Sequence, residues 1–310
     1  MKPPPITAGQ APPKQPPANA VGGFTVEIPA YTLAAGAEKT PCWILPLEVE
    51  GPSRLVGGAT LTVGPGMHHG NIVTRKKTGD GVRVCVGEER SALAQVSDVS
   101  NGGAVLFGST TQLAGEEWQS FPPGMAYRIR DGYEIVARMH YLNASTQPLT
   151  VQPRYQWYTI DEATLTQELA PFAWDFQDLD IPPLSDYTVR GECAFVDAMH
   201  IVSVLPHMHA LGTGFSAGFL GGPLDGKSWL SSRGYDPDQG VITQYDPAID
   251  LGQGAGAWFS CSWHNSFDKR LVYGIGDNEM CTLFGYAYPP AASYSVYAKH
   301  GSCFVFGVGE

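Results

Sequence analysis

Two histidines two residues apart, His207 and His209, stand in the stretch Leu205-Pro-His-Met-His-Ala-Leu-Gly212. In an extended chain side chains two apart share a face, so this pair is a ready chelate for a transition metal. Upstream lie the adjacent pair His68-His69, between Gly66 and Gly70, and His140 in Arg138-Met-His-Tyr-Leu-Asn143. Five of the eight histidines fall in these three places. Downstream, Glu279-Met280-Cys281 heads the apolar run Thr282-Leu-Phe-Gly-Tyr-Ala-Tyr288. Neutral imidazoles suit copper in both oxidation states and a thioether favours Cu(I), so the constellation points to two copper sites. Zinc in the first cluster is the competing metal, but it leaves Met280 without a role.

Elements must bring these residues together. Neighbours on a regular strand point to opposite faces, so His68 and His69 can share a metal only at a bulge or a strand end. Gly66 and Gly70 would permit that. The segment Tyr133-Glu-Ile-Val-Ala-Arg-Met-His-Tyr141 alternates as a strand, with Val136, Arg138 and His140 on one face. A lone histidine on such a strand is ordinarily structural; the pattern, not the single residue, carries the metal reading. His200, seven before His207, should point away from the ligand face, and His264 and His300 read as surface or loop residues. Asn143-Ala-Ser145 matches a glycosylation sequon, a pattern common by chance.

The chain has 310 residues with Gly 37, Pro 25 and 16% charged residues. Its apolar runs are mostly four to eight residues between Gly, Pro, Asn or Asp, which reads as antiparallel β in two domains. The net charge of −11 argues against nucleic acid or an anionic membrane as partner. No run reaches the roughly 18 apolar residues of a membrane span. Six cysteines without a Cys-x-x-Cys pair suit an oxidising compartment; six reduced core cysteines in a cytosolic protein are the alternative. Met1-Lys-Pro-Pro-Pro5 lacks the apolar centre of a signal peptide, so the start reads as that of a mature or trimmed chain. Residues 1–22, rich in Pro, Ala and Gln, read as a flexible tether. Domains are expected over 23–167 and 168–310. The first half holds one short helix candidate, Glu88 to Gln95, before a loop from Asp98 to Gly103. Gly221 to Gly256 should be hairpins and loops.

Taken in order, His-His, Met-His-Tyr, Pro-His-Met-His-x-Leu-Gly and Glu-Met-Cys resemble the copper type II, ascorbate-dependent monooxygenases. The resemblance covers roughly residues 40 to 305. It implies two antiparallel jelly-roll β-sandwich domains and two copper ions. His68, His69 and His140 match the family's three-histidine site, and His207, His209 and Met280 match its two-histidine, one-methionine site. It also implies the disulfides Cys42–Cys85, Cys193–Cys303 and Cys261–Cys281, out of 15 connectivities that counting allows. Where the peptide-hydroxylating branch has Arg, Asn and Tyr near the second site, this chain has Leu205, Thr282 and Phe284. A peptidylglycine substrate is therefore not expected, and a catecholamine is not implied.

The reaction that the resemblance implies is hydroxylation of an sp³ C–H bond of a small organic substrate. It uses O₂ and an external reductant such as ascorbate. The His₃ site would supply electrons, while His207, His209 and Met280 would be catalytic. Thr282, Phe284 and Tyr286 share a face with Met280 on a regular strand and are candidates to line the substrate pocket. A secreted or periplasmic location is expected, with possible tethering through the Pro-rich start. Two other classes compete: a copper carrier with the same fold, and an interaction β-protein with incidental histidines.

Overall fold

The computed structural model describes residues 5–48, 51, 53–109, 114–234, 242–274, 277–290, 297–299 and 301–305. They form an all-β fold of antiparallel sheets with one α-helix among the described residues. Two compact units divide at Ala170/Pro171, three residues beyond the expected boundary.

The N-terminal unit packs one sheet on another. The first has Ala20–Glu27, Arg154–Ile160, Ser53–Val63 and Met125–Arg130 side by side, with Gly115–Ser120 also on Ser53–Val63. The second runs Arg83–Val84, Cys42–Pro46, Tyr133–Leu142, Met67–Lys76, Val105–Gly108, with Glu38–Lys39 on the far part of Tyr133–Leu142. Alternating apolar residues fill the space between. Tyr127 and Trp157 from the first sheet both donate to the Leu106 carbonyl of the second, at 2.8 and 3.2 Å, so these two ring polar groups are satisfied in the core. Cys42 and Cys85 are bonded.

The helix lies later than expected. A 3₁₀ turn, Gly87–Arg90, precedes the α-helix Ala92–Ser100. Ser91 explains the restart: its hydroxyl accepts from Ala94 N as an N-cap. The expected loop from Asp98 therefore begins only after Ser100, at Asn101 and the left-handed Gly102. Arg138 ties the helix to the strand below through Asp98, at 2.7 Å.

In the C-terminal unit a five-stranded sheet has the order Ser228–Ser232, Gly212–Leu220, Gly256–Asn265, Ser185–Ala194, Tyr297–Lys299, each neighbouring pair antiparallel. A second sheet holds Thr243–Asp250, His200–His207 and Thr282–Tyr288, and the end of Gln167–Asp175 pairs with Ser302–Val305. Trp174, Trp229, Phe259 and Tyr245 meet in the core between them. The bonds Cys193–Cys303 and Cys261–Cys281 are both formed. Within Gly221 to Gly256, expected as hairpins and loops, Ser228–Ser232 pairs back on Gly212–Leu220 as a hairpin and Thr243–Asp250 is a further strand.

The expected tether over 1–22 is attached at several points of its described part, although most of its residues are exposed. Gln10 exchanges two backbone hydrogen bonds with Gln244, and Ile6 packs on the core of the C-terminal unit. Pro17 is buried beside Gly57 and Gly58 of the N-terminal unit, and a strand begins already at Ala20. Low hydrophobicity misled here because a chain can add to a sheet edge through backbone bonds alone. No helix among the described residues is long and apolar enough to cross a membrane.

Candidate metal centres

The first centre sits where Met67–Lys76 pairs with Tyr133–Leu142. Met67 lies opposite Tyr141 and His69 opposite His140, so His68 is the extra residue of a bulge. The glycines on either side fit this. Gly66 has φ +100°. A Cβ on Gly70 would come within 2.5 Å of the Met139 methyl, so any larger residue there would have to displace the end of that side chain. The bulge turns both histidines toward His140. The three rings stand 4.6 to 5.1 Å apart. One nitrogen from each lies within 4.8 Å of the others, the only such cluster of potential ligands found among the described residues. Three neutral nitrogen donors at that spacing fit one copper or zinc ion.

His140 is buried, and its Nε2 lies 2.5 Å from Glu38 Oε1. Glu38 sits opposite Leu142, which places it diagonally across from His140 on the same face.

The second centre gathers around the end of His200–His207. His207 pairs with Thr282, and His209 follows in a tight turn closed by Gly212 N on the His209 carbonyl at 3.0 Å. Met208 points the other way and is buried. Its side chain lies where a Cβ on Gly212 would sit, which accounts for the glycine in the motif. The rings of His207 and His209 are 5.3 Å apart at 86°.

Glu279 holds this turn. It is 1% exposed, and its Oε2 accepts from His209 N and from the Trp263 indole, both at 2.9 Å. Its Oε1 accepts from Leu211 N at 2.9 Å. The His209 ring nitrogen Nδ1 lies 2.7 Å from the Asn278 carbonyl; a carbonyl only accepts, so Nδ1 carries the proton and Nε2 is left as the ligand atom. Met280 is thus bracketed by Glu279, bonded to the His209 turn, and by Cys281, fixed through its disulfide to Cys261. Sequence reasoning did not single out Glu279; an acidic residue directly before the candidate ligand Met280 was the available signal.

Of the three pocket candidates, Phe284 alone is not buried, and its ring centre is 6.4 Å from that of His207. Thr282 instead donates to Asp175 Oδ1 at 2.8 Å and is buried, and Tyr286 is buried opposite Ser203. Asp175 also accepts from Gln177 and Tyr273. Burial raises its carboxyl above the ordinary range although these bonds oppose the shift. Burial, with Asp175 beside it, likewise pushes the Tyr273 hydroxyl up. Thr282 therefore anchors the strand and does not line a free surface.

His200 departs from expectation. A bulge between Ile201 and Ser203 changes the alternation, so His200, opposite Tyr288, falls on the His207 face. It stacks on Tyr288 at 4.7 Å. His264 is exposed as expected, bonded to Asp186 at 2.7 Å, and His300 lies outside the described residues. Asn143 of the sequon is buried, its amide donating to Ala34 O and Gln147 O.

No protein-family model matches the chain, and no curated protein sequence matches it.

Proposed function

We propose that the chain is a copper-dependent monooxygenase of the ascorbate-using, type II kind, hydroxylating an sp³ C–H bond of a small organic molecule. One observation carries this reading: a compact three-imidazole cluster in one unit accompanies, in the other, a histidine pair whose turn is bonded to Glu279, the residue before Met280. An incidental distribution of histidines does not account for both. Copper bound at these residues would supply one-electron redox chemistry and, at the His₂Met site, activation of dioxygen.

The residues' own contributions follow from their surroundings. His68, His69 and His140 offer three nitrogens and no soft donor, a set suited to holding an ion that passes electrons on. His207 and His209, with Met280, offer a softer set. Asn278 O fixes the His209 tautomer, and Glu279 keeps the turn closed. Phe284 and Leu205, partly exposed on the His207 face, give that face an apolar character. Three disulfides support a secreted or periplasmic location.

The test is metal analysis followed by oxygen uptake with ascorbate over a panel of substrates. Two coppers per chain and substrate-dependent hydroxylated product are expected. Two coppers without product would make the protein a copper carrier, and one copper or none would end the two-site reading.

A further inference from the structure

We infer that Glu38 is a positioning residue for the first centre: its carboxylate accepts the Nε2 proton of His140, aims Nδ1 at His68 and His69, and makes His140 a stronger donor. The inference rests on the metal reading proposed above. His140 is 7% exposed, whereas the Glu38 side chain is 47% exposed, so the pair is anchored at the histidine end and wet at the carboxylate end. The short strand Glu38–Lys39 has only two residues, and it pairs with Tyr141–Leu142 alone. Its register is what delivers the carboxylate to His140, at 2.5 Å.

A carboxylate behind a ligating imidazole fixes the ring's tautomer and raises its basicity; loss of such a partner costs about 10- to 100-fold in metal affinity. The second centre is built differently. There His209 is backed by the neutral carbonyl of Asn278. A negative group behind one ligand stabilises Cu(II) more than Cu(I), whereas a neutral carbonyl does so less. The two centres are thereby separated in electron affinity, the first being the better electron donor.

The experiment compares wild type, Glu38→Gln and, as a charge control, Glu27→Gln, since Glu27 is exposed at the far end of its strand. In metal-free wild type, nitrogen-15 NMR should find the His140 proton on Nε2. In Glu38→Gln, Cu(II) affinity at the first centre should fall about 10- to 100-fold with Cu(I) affinity little changed. Its potential should then rise by about 60 to 120 mV, at about 59 mV per tenfold for one electron. The second centre and Glu27→Gln should not move. If wild type binds copper at His68, His69 and His140 and Glu38→Gln leaves affinity and potential unchanged, the inference falls and the metal reading stands. If wild type takes up no copper there, both fall together.

Discussion

Asn143 and Asn265 close the same turn, one in each unit. Asn143 donates to the carbonyl four residues on, Gln147 O, at 2.8 Å and accepts from the amide two residues on, Ser145 N, at 3.0 Å. Asn265 does the same with Lys269 O at 2.9 Å and Phe267 N at 3.0 Å. Each also donates to a carbonyl of a neighbouring segment, Ala34 O or Pro182 O. Two residues before each asparagine a large ring faces the partner strand, Tyr141 opposite Met67 and Trp263 opposite Gly212. In both ladders the register then slips by one. The units thus repeat one strand-and-turn plan. The places of His68, His69 and His140 are taken in the second unit by Thr213, Gly214 and Ser262, so the plan repeats but its metal ligands do not.

Replacing either asparagine with Ala should therefore destabilise its unit, because two carbonyls and an amide lose their partner. About 2 to 3 kcal/mol is expected for each, read as a shift in the denaturant midpoint. A cost below about 0.5 kcal/mol at both positions would show that water replaces the side chain without loss.

Glu279→Gln tests the clamp on the second centre. All three bonds to Glu279 come from N–H donors, and an amide nitrogen cannot accept any of them. At least one donor is left facing another donor, at about 1 to 3 kcal/mol. Copper affinity should fall at the His207/His209 site and stay constant at the His68/His69/His140 site. Equal loss at both would point to general unfolding, and no loss at either would remove Glu279 from the account.

Much of this was legible in the chain. Alternating apolar residues announced the β-architecture, and the glycines flanking His68-His69 announced a bulge, since Gly66 takes up a positive φ of 100° there. What escaped was set by long-range pairing. The bulge that brings His200 onto the His207 face leaves no local mark on Ile201-Val-Ser203. Gln10 joins Gln244 through backbone atoms, so its side chain says nothing of it. Thr282 reads as a pocket residue until Asp175, 107 residues away, takes its hydroxyl.

Stability should depend on acid through Glu134. Burial works to raise its carboxyl, but hydrogen bonds from Arg75, Thr78 and Arg83 prevail and hold it below its ordinary value of 4.5. A depressed native value means that the stabilisation is fully present above about 4.5 and is lost as pH falls through the native value. Glu134→Gln, which breaks a buried pair, should cost about 3 kcal/mol at pH 7. The gap between the two proteins should close as the pH is lowered through the acid range. A gap of constant size from pH 7 to pH 3 would rule out the ionised carboxylate as its source.

The two centres can be separated by two substitutions. Met280→Ile keeps an apolar side chain of similar volume, so the fold should survive with a cost under about 1.5 kcal/mol. It removes the soft donor, and Cu(I) affinity at the second centre should drop by at least the about 10- to 100-fold that an outer partner is worth, with oxygen uptake falling alongside. His140→Ala leaves that centre intact and damages the other. Pre-reduced protein should then still consume oxygen once at the second centre while steady turnover with ascorbate slows, because the remaining electron arrives late. A copper carrier behaves differently: each variant loses one ion and neither shows oxygen chemistry. The decisive measurement is product formed per reduced copper in a single turnover, set against the steady rate for each variant. Undiminished uptake in Met280→Ile would remove the methionine, and with it the monooxygenase reading, from the second centre.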